Sequence, residues 1–218
     1  MDRISKKFAT LFAVVFKLNL LSIDIIPEYK MVLKPLIMAS LIGYYIVTSR
    51  KQANGFILAM IFALMGDIFL AFSGTDFFLL GLGSFLFMQV LYGFTFLRYR
   101  IQDQRAGLLK IIPVILIASV VLWLLWPGLG DMRIPVTIYT AAISFMVCTA
   151  FLVNPKLSVY PWLVLGVILF LISDAAIGFA KFGQSAAWTD YLILSTYMAA
   201  QYLIVTIMAT LSSKTAGN

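Results

Sequence analysis

The residues whose types and positions could do chemistry are two aspartates. Asp67 sits in the run Leu64-Met65-Gly66-Asp67-Ile68-Phe69-Leu70-Ala71-Phe72, and Asp174 in Leu171-Ile172-Ser173-Asp174-Ala175-Ala176-Ile177-Gly178-Phe179. Each is a single carboxylate, preceded by Gly or Ser, inside an apolar stretch long enough to cross a bilayer. An Asp near the centre of such a helix costs roughly 2.5–3.5 kcal/mol on an insertion scale, so two of them call for a compensating role. If both face one low-dielectric cavity, mutual repulsion leaves one protonated while the other ionises. That division supplies a general acid to protonate a substrate and a base to activate water. Two other readings use the same residues. One is a proton or cation relay in a transporter; the other is structural, with each Asp accepting a hydrogen bond from a neighbouring helix or pairing with Lys34 and Lys181.

The chain contains no His, which excludes His-ligated zinc and any Ser-His-Asp or Cys-His arrangement. The remaining chemistry belongs to carboxylates, amines, hydroxyls and amides, with no metal or cofactor called for. Tyr197 and Gln201 are four apart and share a helix face, and Gln89 and Tyr92, three apart, make a similar one. Tyr139 falls about one turn into a predicted helix. Lys34 lies at a helix end, where it can meet a phosphate or snorkel to the interface. Ser173 can serve its neighbouring carboxylate. Gly81, Gly83, Gly166 and Gly178 are expected to let helices approach closely. Asp24, Glu28, Asp76, Asp131 and Asp190 fall near predicted ends and are read as solvated. The lone Cys148 is read as a buried thiol.

The elements that must position these groups follow from composition. Of 218 residues, 62% are hydrophobic and 11% charged, with a mean hydropathy of +1.01, against roughly 25% charged residues in a soluble domain. The expected fold is all-α: one polytopic transmembrane helical bundle over residues 1–218. The net charge of +7 speaks through its placement rather than its sum, and does not imply nucleic acid. Apolar periodicity and turn signals predict eight spans: an uncleaved first helix to Ile26, then Lys34 to Thr48, Ala53 to Phe72, Phe77 to Leu97, a fifth from Lys110 to Trp126, Pro135 to Val153, Tyr160 to Ala180, and Ala187 to Leu211. Pro127-Gly128-Leu129-Gly130-Asp131 makes the turn after the fifth.

Arg3, Lys6, Lys7, Arg50, Lys51, Arg98, Arg100, Arg105, Lys110, Lys156 and Lys214 fall on one side of such a bundle, against Lys30, Lys34, Arg133 and Lys181 on the other, so both termini are expected in the cytoplasm. The third and seventh helices then run the same way, and each Asp lies roughly 20 Å along its helix at a rise of 1.5 Å per residue. The even-numbered helices bring Lys34, Gln89, Tyr139, Tyr197 and Gln201 near that level. Both aspartates occupy the third span of a four-helix half, and each is followed by Phe five residues later, a weak sign of a parallel 4+4 repeat.

Lys34-Pro35-Leu36, Gly66-Asp67 with Leu70, and Gly81 with Phe85 and Tyr92 form the first part of a wider pattern. Pro135-Val136 with Tyr139, Met146 and Ala150, Gly166 with Phe170 and Ser173-Asp174, and Tyr197 with Gln201, Leu203 and Ile204 complete it. In order and position this resembles the YhhN-like lysoplasmalogenase family, whose characterised members hydrolyse the vinyl ether bond of lysoplasmalogens. One departure is visible: Gln89 stands where many members carry a His before the fourth-helix Tyr. The resemblance implies a lysolipid substrate, Asp67 and Asp174 as the catalytic pair, Tyr139, Tyr197 and Gln201 as orienting groups, and Lys34 on the substrate phosphate. The expected setting is a bacterial cytoplasmic membrane. The competing expectation is a proton-coupled lipid or small-molecule transporter, and a third is a structural or lipid-sensing membrane protein.

Overall fold

Hydrocarbon offers backbone N–H and C=O groups no partner, so long apolar runs fold as helices that satisfy their own hydrogen bonds. The computed structural model describes residues 3–101 and 105–214. It contains α1 (Arg3–Asp24), α2 (Lys30–Thr48), α3 (Asn54–Phe69), α4 (Thr75–Leu97), α5 (Arg105–Leu125), α6 (Arg133–Phe151), α7 (Tyr160–Phe182) and α8 (Thr189–Lys214). Part of the predicted basic stretch, residues 102–104, lies outside the described residues, as do the side chains of Arg3, Lys6, Arg105 and Lys214 counted for sidedness.

Six of the eight helices, α2 and α4 to α8, are long and apolar enough to cross a membrane. Eight spans were expected; among the described residues there are eight helices, and six of them qualify as spans. With 16 residues, α3 is about 24 Å long at 1.5 Å per residue, short of a hydrocarbon core of about 30 Å. In α1, Lys7 and Lys17 interrupt the apolar pattern.

Several boundaries shift for local reasons. α2 starts at Lys30, directly after a 3-10 turn over Pro27–Tyr29, so Pro35 stands inside the helix rather than in its first turn. Its missing N–H leaves the Met31 carbonyl without the usual helical donor. α3 stops at Phe69 rather than Phe72, and the chain turns through Gly74, whose φ of +122° favours glycine. α8 begins at Thr189 rather than Ala187, where the Thr189 hydroxyl accepts the Ala186 N–H at 3.0 Å.

Contacts at the two ends order the bundle. At one end, Tyr191 at the start of α8 donates to Asp24 at the end of α1 (2.6 Å), and Lys30 at the start of α2 pairs with Asp190 (3.3 Å). Phe78 in the second turn of α4 meets Phe182 at the end of α7 edge to face. At the other end, the Tyr45 hydroxyl of α2 lies 3.1 Å from that of Ser212 in α8, and Ile101 N–H to Leu152 O and Asn154 N–H to Tyr99 O join the exits of α4 and α6. Consecutive helices thus run in alternating directions, and α3 and α7 run the same way. The centre is filled by Met60, Met88, Tyr92, Met146, Phe170 and Met198, all fully buried, whereas α5 turns residues such as Trp123, 73% exposed, outward.

Three of the four glycines expected at close approaches stand at them. A Cβ on Gly81 would lie 2.6 Å from Leu70, one on Gly178 2.8 Å from Leu125, and one on Gly166 3.2 Å from Ile204. Gly83 is the exception, because no atom lies within 4 Å of its Cβ position. The tightest position is Gly128 in the turn after α5, whose Cβ would stand 2.0 Å from the Phe182 carbonyl oxygen. Backbone has to move to relieve that clash, and overpacking costs about 1–3 kcal/mol. Gly128→Ala is therefore expected to lower the thermal midpoint of detergent-solubilised protein by about 2–12 °C at about 2–4 °C per kcal/mol, while Gly83→Ala leaves it unchanged or slightly raised. Thermal unfolding of the two variants side by side checks this.

Candidate active site

Because α3 and α7 run the same way, their aspartates come to the same level, each about 20 Å along its helix at 1.5 Å per residue. The even-numbered helices run against them and supply the partners. Asp67 is fully buried. Its Oδ2 accepts a hydrogen bond from the Tyr197 hydroxyl of α8 at 2.7 Å. Its Oδ1 has no hydrogen bond, and the Lys34 ammonium of α2 stands 4.0 Å from it on a side chain only 17% exposed. Gly66, one residue earlier, makes room for the ring of Phe85, which a Cβ there would meet at 2.7 Å. The glycine brings α3 and α4 together beside the carboxylate.

Asp174 is held differently. Both of its donors reach the same oxygen: the Tyr139 hydroxyl of α6 at 2.5 Å and the Gln89 amide of α4 at 3.0 Å, each to Oδ2. No hydrogen bond among the described residues reaches Oδ1. Gln89 is fully buried, and its own carbonyl oxygen has no partner. One carboxylate is thus balanced by a phenol and a cation, the other by a phenol and an amide.

Both aspartates line one cavity of about 410 Å³, together with Lys34, Ser173 and Tyr197. Of the sequence-predicted site residues, Asp67, Asp174, Lys34, Gln89, Tyr139 and Tyr197 come together around the two carboxyl groups. Tyr92 and Gln201 do not touch them. The Tyr92 hydroxyl donates to Gln201 Oε1 at 3.0 Å and its ring stacks on Phe56, so this pair ties α4 to α8 next to the site. Ser173 reaches the cavity wall, but its hydroxyl donates to the Ile193 carbonyl at 3.0 Å. It fastens α7 to α8 instead of serving its neighbouring carboxylate.

Three charged cavity residues were not among the predicted site residues: Lys30, Lys181 and Asp190. Asp190, read as solvated, pairs with Lys30, and the Lys181 ammonium lies 5.1 Å from the centre of the Phe78 ring. A spacing signal was present, since Lys30 precedes Lys34 by one turn and Lys181 follows Asp174 by two, placing each on or near the face of a site residue. Cys148 is half-buried, more open than expected.

The sequence model of the YhhN family matches residues 29–208, a span that holds every residue of this site. Relatives named lysoplasmalogenase occur in Mycobacterium bovis and Mycobacterium tuberculosis. Each is 29% identical over 184 residues, which covers 82% of this chain and 68% of the relative. A cattle protein named lysoplasmalogenase TMEM86A is 30% identical over 169 residues, covering 74% of this chain and 68% of its own length. No solved structure matches.

The Lys34–Asp67 pair has a consequence for stability. Removing one member of a buried ion pair leaves an uncompensated charge and costs about 3–5 kcal/mol, whereas removing both is often close to neutral. Lys34→Met is expected to lower the thermal midpoint, and Lys34→Met/Asp67→Asn to recover most of the loss. A double-mutant cycle on the detergent-solubilised protein reads the coupling, expected at about 1 kcal/mol or more.

Proposed function

The chain belongs to the YhhN family, and from that membership we propose that it is a membrane-embedded hydrolase cleaving the vinyl ether bond of lysoplasmalogen-type lysolipids. The observation that carries the reading is a pair of aspartates, Asp67 fully buried and Asp174 partly buried, lining one cavity with different partners. A vinyl ether hydrolyses by protonation at carbon, and that step needs an acid and a base in one water-restricted place.

The partners suggest which carboxyl plays which part. Asp67, beside the Lys34 ammonium, is the ionised base. Asp174, whose two donors occupy only Oδ2, keeps Oδ1 for the transferable proton. Asp174 gives that proton to the vinyl carbon remote from oxygen, leaving an oxocarbenium-like cation that the Asp67 carboxylate stabilises. Water then adds to the carbon bonded to oxygen and yields a proton to Asp67. The resulting hemiacetal collapses: its hydroxyl proton passes to Asp174, Asp67 returns its proton to the departing glycerol oxygen, and a fatty aldehyde and a glycerophospho-alcohol leave. Both carboxyls end as they began. Tyr139, Tyr197 and Gln89 hold the carboxyls in place, with Tyr92, Gln201 and Ser173 fixing the helices that carry them. The substrate phosphate is placed among Lys30, Lys34 and Lys181 at the cavity mouth.

Both termini are placed in the cytoplasm on the distribution of Lys and Arg, and the setting proposed is a bacterial cytoplasmic membrane. The equivalent places of Asp67 and Asp174 on α3 and α7 accord with a 4+4 repeat. For a transporter the site would have to open in turn to both ends of the bundle. The fully buried rings of Tyr45, Phe56, Tyr92 and Phe96, packed in series beyond Gln201, fill the bundle toward the other end and speak against it.

The test is aldehyde release from 1-alkenyl-lysophosphatidylethanolamine by purified protein in detergent. Asp67→Asn and Asp174→Asn should each reduce the rate about 100-fold or more, the usual range for a lost general acid or base. Tyr139→Phe and Tyr197→Phe should lose less. Full activity in both folded Asn variants would overturn the mechanism.

A further inference from the structure

A second cavity adjoins the first. Its volume is about 360 Å³, it lies among α4, α5, α6 and α7, and its wall includes Leu82, Ala118, Val121, Ile143 and Leu171. Apart from Asp174, its polar residues are already engaged: the Thr140 hydroxyl donates to the Val136 carbonyl at 2.8 Å, and the Tyr139 hydroxyl is committed to Asp174. The two cavities share Leu70, Phe78, Phe85, Ile177 and Asp174 as common wall. Asp174 therefore stands where a charged chamber, carrying Lys30, Lys34 and Lys181 with Asp67 and Asp190, gives way to an apolar slot. Ile117, on the far wall of the slot, is 53% exposed toward the bilayer side of α5.

We infer that the apolar slot among α4, α5, α6 and α7 is the subsite for the substrate's single hydrocarbon chain, and that it sets how strongly chain length is read. The occupant follows from the continuity of the two cavities. A molecule with an anionic head among the lysines and one aliphatic chain in the slot has the bond joining head to chain at Asp174. One slot adjoining one head chamber matches a lipid with a single chain. The identification of that joining bond as a vinyl ether rests on the hydrolase reading above; the chain subsite itself does not. Each methylene buried in an apolar slot adds a roughly constant increment to binding, so a working slot makes affinity rise steeply with chain length.

The variant that tests this is Ala118→Phe, which fills the slot from a side chain that is almost fully buried. Ile115→Phe, on the outward face of the same helix, is the control, and Ile143→Ala widens the slot should the larger residue impair folding. Binding is measured with non-hydrolysable 1-O-octyl and 1-O-hexadecyl glycerophosphoethanolamine, and aldehyde release with alkenyl lysolipids of the same two lengths. The native protein should bind the hexadecyl ether at least 10-fold more tightly than the octyl ether. Ala118→Phe should weaken the long ether 10-fold or more with little change for the short one, and Ile115→Phe should change neither. Ile143→Ala should shift the long ether's affinity and leave the short ether's alone. Equal losses for both lengths in Ala118→Phe, or no change in either filling or widening variant, would overturn the inference. Chain-dependent binding without aldehyde release would instead count against the hydrolase reading and leave the subsite standing.

Discussion

Two carboxylates held inside an apolar bundle are the constraint from which the rest of the structure follows. A buried polar group without partners is costly, and a buried charge far more so. The bundle meets that cost by arranging four partner helices around two carrier helices. α3 and α7 bring Asp67 and Asp174 to one level, and α2, α8, α6 and α4 answer with Lys34, Tyr197, Tyr139 and Gln89. Close helix approach is needed for those short side chains to meet, which is why Gly66 admits the Phe85 ring against α3.

The satisfaction of the two carboxylates is unequal, and the proposed mechanism rests on that inequality. In the proposed mechanism the cation beside Asp67 and the neutral donors on a single oxygen of Asp174 divide the pair into base and acid. Equal environments would leave no preferred direction for proton transfer. The unpartnered atoms fit this picture: Asp67 Oδ1 and the Gln89 carbonyl oxygen are both buried without a hydrogen bond, and unsatisfied groups of this kind concentrate where a substrate or water completes the network. The lysine-bearing chamber and the apolar slot meeting at Asp174 extend the same logic from protons to the shape of a lipid.

Much of this was legible in the sequence because it followed from period and polarity. Helix number, the alternating directions and the common level of Asp67 and Asp174 come from apolar run length and helical rise, and the even-numbered helices do supply the partners that the depth argument placed there. What was not legible depended on pairing between distant segments. Asp190 is solvated, as its sequence position suggested, but nothing in the sequence joins it to Lys30, 160 positions away, which pairs with it. Ser173 looks like a carboxylate partner until its hydroxyl is found on the Ile193 carbonyl. Lys34 could be read as a phosphate contact or as a partner of an aspartate, and only the packing of α2 against α3 shows its ammonium 4.0 Å from Asp67. The boundaries of α2 and α3 shifted because a 3-10 turn at Pro27 and the positive φ of Gly74 are local conformational choices that hydrophobic periodicity does not register.

The central claim is that the aspartate pair is divided, with Asp174 protonated and Asp67 ionised. Infrared spectroscopy of the protein reconstituted in bilayers, recording the carbonyl stretch of protonated carboxylic acids, addresses it directly. The account predicts a protonated-carboxyl band that vanishes in Asp174→Asn and persists in Asp67→Asn. A band that vanishes in Asp67→Asn and persists in Asp174→Asn would contradict it.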